Sequence, residues 1–236
     1  MKIETNIKNN SKIGSVKDKI QVCDVDTKIC KKLVIVTLLF DGFELLDVFG
    51  PLEMFGFTNI IKENIELKFV SENGLPVKSS AGPISVVDYS FNDVIHSDIL
   101  IIPGGAGTRI EVNNKTLIKW LIQQCDKSKI ISSVCTGAVL LAKAGVLDHL
   151  PATTNKMVFE WVSSVNSKVE WVPEARWVES ENIYTSSGVS AGIDMTLSII
   201  SKLYGKDTAI RVATGTEYEW HQDASYDPFA KIHGLV

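Results

Sequence analysis

From Lys32 onward, short aliphatic runs, each the length of one strand, alternate with longer stretches of helical spacing. The apolar runs predict strands over 33–40, 65–71, 98–102, 129–134, 169–171, 176–179 and 183–186. Between them the spacing predicts helices over 44–57, 115–127, 155–165, 190–204 and 207–220, with Gly50-Pro51 interrupting the first. Two short pieces, 76–79 and 84–88, read as a hairpin around Ala81-Gly82. This alternation predicts an α/β fold: a mostly parallel sheet with helices on both faces. Ligands of such folds bind at the carboxyl ends of the strands.

One strand-to-helix junction carries a thiol. In Ile130-Ile131-Ser132-Ser133-Val134-Cys135-Thr136-Gly137-Ala138-Val139-Leu140-Leu141-Ala142, a strand pattern runs straight into a helix of small and aliphatic residues. A side chain at that corner is presented at the edge of the sheet, as at a nucleophile elbow, with cysteine in place of serine. The helix N-terminus behind Cys135 is expected to favour thiolate over thiol. The other needs of a nucleophilic cysteine have candidates too. Donors for a developing anion are the N–H of Thr136 and the loop Pro103-Gly104-Gly105, about thirty residues earlier, where missing side chains let the backbone come close. The proton-transfer group is expected to be Asp47, an acid among Leu45, Leu46, Val48 and Phe49, because burying such a carboxylate is expensive unless it is functional or hydrogen-bonded. Asp41 and Glu44 compete for that role, although both occupy positions where capping acids are expected.

None of the histidines, His96, His149, His221 and His233, is adjacent to Cys135. Thiol hydrolases of peptides and amides need an imidazole to protonate the leaving amine, so the pattern argues against that chemistry. His221 is the best candidate to fold into the pocket, its alternative being a helix C-terminal position. Cys125 is expected to be a bystander, and Trp161, Trp171 and Trp177 to be packing aromatics.

With 236 residues, 45% of them hydrophobic, the chain can bury a full-sized core. A net charge of −4 argues against nucleic acid or an anionic membrane as partner, and the apolar runs are too short to span a bilayer. Residues 1–31 are polar and aperiodic, and are expected to form a flexible extension, with the domain and a docked C-terminal tail occupying 32–236. Cys23 and Cys30 in that extension read as ordinary thiols. Four irregularly spaced cysteines and no apolar leader point to a reducing, cytoplasmic setting.

Five ordered segments together resemble the ThiJ/PfpI superfamily, nearest its isonitrile hydratase branch. They are Leu46-Asp47-Val48-Phe49-Gly50-Pro51, Ile102-Pro103-Gly104-Gly105, Ser133-Val134-Cys135-Thr136-Gly137, Ala152-Thr153-Thr154, and Ser187-Gly188-Val189-Ser190-Ala191-Gly192-Ile193-Asp194. The resemblance implies a flavodoxin-like three-layer sandwich of the class I glutamine amidotransferase kind, usually a homodimer. It also implies a reactive cysteine served by an acid from the first crossover. It brings in Gly188 beside Gly104 and Gly105 as substrate-binding positions. PfpI-type proteases carry His after the cysteine and the glyoxalase and deglycase branches typically use Glu where this chain has Asp47; Thr136 and Asp47 both point to the hydratases. Asn155 departs from the His common there. The implied activity is cofactor-free and metal-free hydration of a small-molecule isonitrile to a formamide, with Cys135 as nucleophile, Asp47 as acid and Thr136 orienting the carboxyl group. A glyoxalase or deglycase acting on methylglyoxal, and a cysteine redox sensor without turnover, are the alternatives. A DNA-binding regulator is not expected, since the chain ends at Val236.

Overall fold

In the computed structural model, residues 32–93 and 95–236 are described; the expectation for residues 1–31, with Cys23 and Cys30, lies outside them. The elements run β1 (Leu33–Leu38), α1 (Leu45–Lys62), β2 (Ile65–Ser71), β3 (Val77–Lys78), β4 (Ile84–Ser85), β5 (Tyr89–Ser90), β6 (Ile99–Ile102), α2 (Thr108–Glu111) and α3 (Lys115–Cys125). They continue with β7 (Ile130–Ser133), a 3-10 turn (Cys135–Gly137) leading into α4 (Ala138–Lys143), β8 (Pro151–Ala152), a second 3-10 turn (Lys156–Val158) and α5 (Phe159–Val165). The last are β9 (Glu170–Trp171), β10 (Trp177–Ser180), β11 (Ile183–Ser186), α6 (Ala191–Tyr204), α7 (Lys206–Gly215) and α8 (Pro228–Ile232).

The central sheet has seven strands in the order β10-β11-β7-β6-β1-β2-β5. Every pairing in it is parallel except β10 with β11. The helices α1, α6 and α7 cover one face, and α2 to α5 pack together on the other. Strands buried on both sides need continuous apolar sequence, and Ile99, Leu100, Ile101 and Ile102 are all buried. The result is the mostly parallel sheet with helices on both faces that the alternation predicts, in the flavodoxin-like sandwich that the resemblance implies.

Strand order places the site. From β1 the chain moves one way to β2, then crosses back to build β6, β7 and β11 on the other side. The segments that follow β1, β6, β7 and β11 therefore emerge side by side at one edge, where Asp47, Gly104, Cys135 and Gly188 lie.

Three expectations need correction. Gly50-Pro51 does not interrupt α1, which runs on to Lys62. Pro51 withholds an N–H from the carbonyl of Asp47 one turn back, but packing on α6 holds the helix together. Gly50 is the point of closest approach, since a Cβ there would lie 2.8 Å from Ile193. The helix predicted to reach Trp220 stops at Gly215 instead. Glu217 turns into left-handed backbone (φ 51°), and the chain folds back so that Tyr218 and Trp220 reach Asp194. The helix predicted from Asn155 opens as a 3-10 turn capped by the Asn155 side chain. The C-terminal tail does dock: Asp227 caps α8, and Ala230 is fully buried.

Candidate active site

The corner at Cys135 is a sharp one. Val134 is still extended (φ −115°), and Cys135 takes φ +58°, a left-handed conformation that L-residues pay for in strain. Two bonds hold it there. The Cys135 N–H donates to the Ser187 carbonyl at 3.0 Å, and Thr154 Oγ1 donates to the Cys135 carbonyl at 2.8 Å. Val189, beside the sulfur, is also left-handed (φ 39°), an unusual state for a β-branched residue. Strain of this kind persists only where surrounding structure imposes it, and here it marks both sides of one thiol.

Asp47 comes from the first turn of α1 but serves neither as a cap nor as a surface acid. It is fully buried, and its Oδ2 accepts the Gly104 N–H at 2.8 Å. The same glycine accepts the Glu44 N–H through its carbonyl at 2.9 Å, so one residue clamps the start of α1 against the loop after β6. Asp47 Oδ1 is buried without a hydrogen-bond partner of conventional geometry among the described residues. Burial pushes the Asp47 pKa from 3.8 up to about 8; the Gly104 bond opposes the shift, the Glu44 charge adds to it, and the Cys135 thiol opposes it. The group is therefore a neutral carboxylic acid at pH 7. Because Oδ2 is occupied as an acceptor, the proton belongs on the unpartnered Oδ1.

Cys135 departs from the expected thiolate. Burial pushes its thiol up to about 12, helped by the charge Asp47 carries when ionised. The Asn155 amide and the N–H groups of Thr136 and Val189 offset part of this. The helix expected to lower the value is a three-residue 3-10 turn followed by the six residues of α4, with little dipole to offer against desolvation. The resting site is thus a buried thiol beside a buried acid, both protonated.

A cavity of about 200 Å³ opens over Cys135, lined by it and Thr136 with Glu44, Thr108, Asn155, Met157, Val158, Trp161 and Val189 among others, whereas Asp47, fully buried beside the thiol, does not line it. Arg109 stands at its mouth, with its guanidinium 4.0 Å from the Trp161 ring centre. Several predicted roles change in this geometry. Gly104 and Gly105 are not free donors: their N–H groups go to Asp47 and to Thr136 Oγ1 at 3.0 Å. The Thr136 hydroxyl also accepts from Thr108 Oγ1 at 3.1 Å, so it braces the loop and does not orient the acid; its N–H faces the sulfur. Gly188 makes room, since a Cβ there would sit 2.7 Å from Asn155 Nδ2.

His221 does not line the cavity. It is exposed, and its backbone N–H donates to Asp194 Oδ1 at 2.9 Å, within a buried cluster where Arg176 pairs with Asp194 at 2.6 Å. Asp41 accepts the Lys78 N–H and lies outside the cavity, whereas Glu44 lines it and holds Ser80. Cys125 is buried apart from the site. Trp161 is the residue that sequence reasoning passed over: read as packing, it forms a cavity wall. Nothing in its neighbourhood could have shown this, because the partner that brings it to the site is Arg109 on another helix. Among the described residues no His, Cys, Asp or Glu cluster is arranged to hold a metal ion, and no helix is long and apolar enough to cross a membrane.

The chain is 29% identical over 182 residues to an isonitrile hydratase of Pseudomonas putida, covering 77% of this chain and 76% of that protein. It is 26% identical over 155 residues to a deglycase of Thermococcus kodakarensis, covering 63% and 89%. Among solved structures, a THiJ/PfpI family protein from Pseudomonas syringae superposes with a TM-score of 0.73 at 27% identity, over 80% of this chain and 76% of that one. A profile of the DJ-1/PfpI family matches residues 32–202, and with the elbow cysteine and parallel sheet described above, the chain belongs to that family.

Proposed function

We propose that this protein is a cofactor-independent isonitrile hydratase that converts R–N≡C and water to the formamide R–NH–CHO at Cys135 and Asp47. The observation that carries the reading is the buried Asp47 carboxyl, its pKa raised by that burial, beside the buried Cys135 thiol, which lines a cavity with no histidine among its described lining residues. Few substrates suit a thiol without a base, and an isonitrile is one of them. Its terminal carbon is basic enough to take a proton, and once protonated it becomes a strong electrophile.

In the first step Asp47 gives its proton to the isonitrile carbon, and the Cys135 sulfur bonds to that carbon. The S–H proton passes to the Asp47 carboxylate, leaving the thioimidate R–N=CH–S–Cys135. No free thiolate is needed, so the raised thiol pKa is no obstacle. Water then adds to the same carbon while the imine nitrogen takes a proton, with the Asp47 carboxyl relaying protons between them. Collapse of the resulting tetrahedral carbon breaks the C–S bond, returns a proton to sulfur and releases the formamide. Met157, Val158 and Trp161 offer an apolar wall to the substituent R.

A peroxide sensor calls for an accessible thiol of low pKa, and Cys135 is 5% exposed with its pKa raised. The proposal includes a homodimer, as the family resemblance implies, in the reducing, cytoplasmic setting to which the cysteine usage points; sedimentation of the purified protein tests the dimer. The activity is tested by incubating the protein with an aryl isonitrile and, in parallel, with methylglyoxal. Formamide from the first and no lactate from the second is expected. Lactate without formamide would assign the site to glyoxalase chemistry instead.

A further inference from the structure

We propose that Asn155 is a third catalytic residue of this site, its side-chain amide holding the Cys135 sulfur by a hydrogen bond that strengthens as sulfur loses its proton. The geometry is specific. Asn155 Nδ2 lies 3.2 Å from Cys135 Sγ. Its orientation is set from the other end, where Oδ1 accepts the Met157 N–H at 2.9 Å; that bond fixes which end of the amide is the donor. Room for the amide exists only because position 188 is glycine.

The segment carrying Asn155 is anchored on both sides. The Thr153 N–H donates to Thr185 Oγ1 at 2.9 Å, and the Thr154 hydroxyl holds the Cys135 carbonyl. The Lys156 ammonium is buried and turns away from the sulfur, donating to Thr153 Oγ1 and to the Ala175 carbonyl, each at 2.6 Å. Elbow and amide thus share one framework, and the donor cannot drift from the thiol.

A primary amide offers an N–H but takes up no proton near neutral pH. Its presence therefore leaves the S–H proton with one destination, Asp47, in keeping with the proton path proposed above. A donor to the sulfur lone pair also directs the S–H bond away from Asn155. The other charged groups about the cavity are Glu44 and, at the mouth, Arg109.

The inference rests on Cys135 being the reacting thiol of the reading above, but its test needs no isonitrile. The rate of Cys135 alkylation by iodoacetamide, followed by mass spectrometry to separate it from Cys23, Cys30 and Cys125, is measured between pH 7 and 9.5. Wild type is compared with Asn155→Ala and Asn155→Asp. The aspartate keeps the shape and the acceptor for Met157 but exchanges the donor for a carboxylate whose charge also opposes a thiolate, so its slowing counts only beside that of an uncharged variant, with Asn155→Leu, of similar size, standing in if the alanine variant folds poorly. Losing a hydrogen bond to a developing charge slows alkylation about 10- to 100-fold at each pH. The same loss in kcat is expected, with KM for an aryl isonitrile within about twofold. Wild-type alkylation rates in folded Asn155→Asp would overturn the inference. Should the wild type turn over no isonitrile, the proposed activity falls, and alkylation alone still decides the role of Asn155.

Discussion

Replacing Asp47 by asparagine is expected to stabilise the protein while removing its activity. The wild-type carboxyl has a pKa of about 8 when folded and an ordinary value of 3.8. Between those values the unfolded chain has released a proton that the folded chain retains, so folding takes up a proton. A raised carboxyl pKa leaves stability intact below about pH 4 and erodes it as pH climbs to 8, by roughly 1.4 kcal/mol per pH unit. At pH 7 the accumulated penalty is on the order of 4 kcal/mol. Asparagine escapes it, being neutral throughout, and can still accept the Gly104 N–H. Its new amide N–H groups, buried without a partner, impose a pH-independent loss of about 1–3 kcal/mol. The slope is therefore the diagnostic, not the offset. Urea unfolding of both proteins at pH 4.5, 6 and 7.5 should show the variant gaining on wild type at each step. Turnover should fall about 10²- to 10⁴-fold, the usual contribution of a general acid. Wild-type activity should itself decline above about pH 8 as Asp47 loses its proton. A stability difference that stays flat across this range would falsify the assignment of Asp47 as a neutral buried acid.

Four further outcomes are expected. Gly104→Ala would place a Cβ 2.5 Å from the Thr136 nitrogen and 2.9 Å from Asp47 Oδ2, so it should abolish turnover and cost about 1–3 kcal/mol of stability, both measurable on one purified sample. Trp161→Ala removes a cavity wall and should raise KM for an aryl isonitrile roughly tenfold, or about 1.4 kcal/mol, with kcat little changed in steady-state kinetics. Arg176→Leu leaves the buried Asp194 carboxylate without its cation and should destabilise the fold by roughly 3–5 kcal/mol in urea. Deleting residues 1–31 should leave turnover unchanged, since every described residue of the cavity lies between Glu44 and Val189; a loss of activity would assign the extension a part in the site.

Layer architecture was legible in the chain because burial on both faces of a parallel sheet demands unbroken aliphatic sequence, as in Ile99–Ile102, and the more mixed strands Ile65–Ser71 and Ile183–Ser186 also begin and end where the pattern says. Cys135 and Asp47 were legible for a related reason: a thiol at a strand-to-helix corner and an acid among apolar neighbours are locally costly. The short edge strand Tyr89–Ser90 and the four-residue α2 escaped, since elements that short carry no period.

What only the tertiary structure decided was the ionisation of the pair and the company it keeps. Helix polarity argued for a thiolate at Cys135, but desolvation is a property of everything packed around the sulfur, and it outweighs one short turn of helix. The glycine N–H groups of the 104–105 loop were placed correctly along the chain yet already satisfied by Asp47 and Thr136. Trp161, Arg109 and Asn155 reach the cavity from segments far from Cys135 in sequence, because strand order brings the ends of β1, β6, β7 and β11 together. Local pattern can announce a costly residue. Whether its neighbours are water, protein or another charge depends on contacts across the sheet, and those contacts set its chemistry.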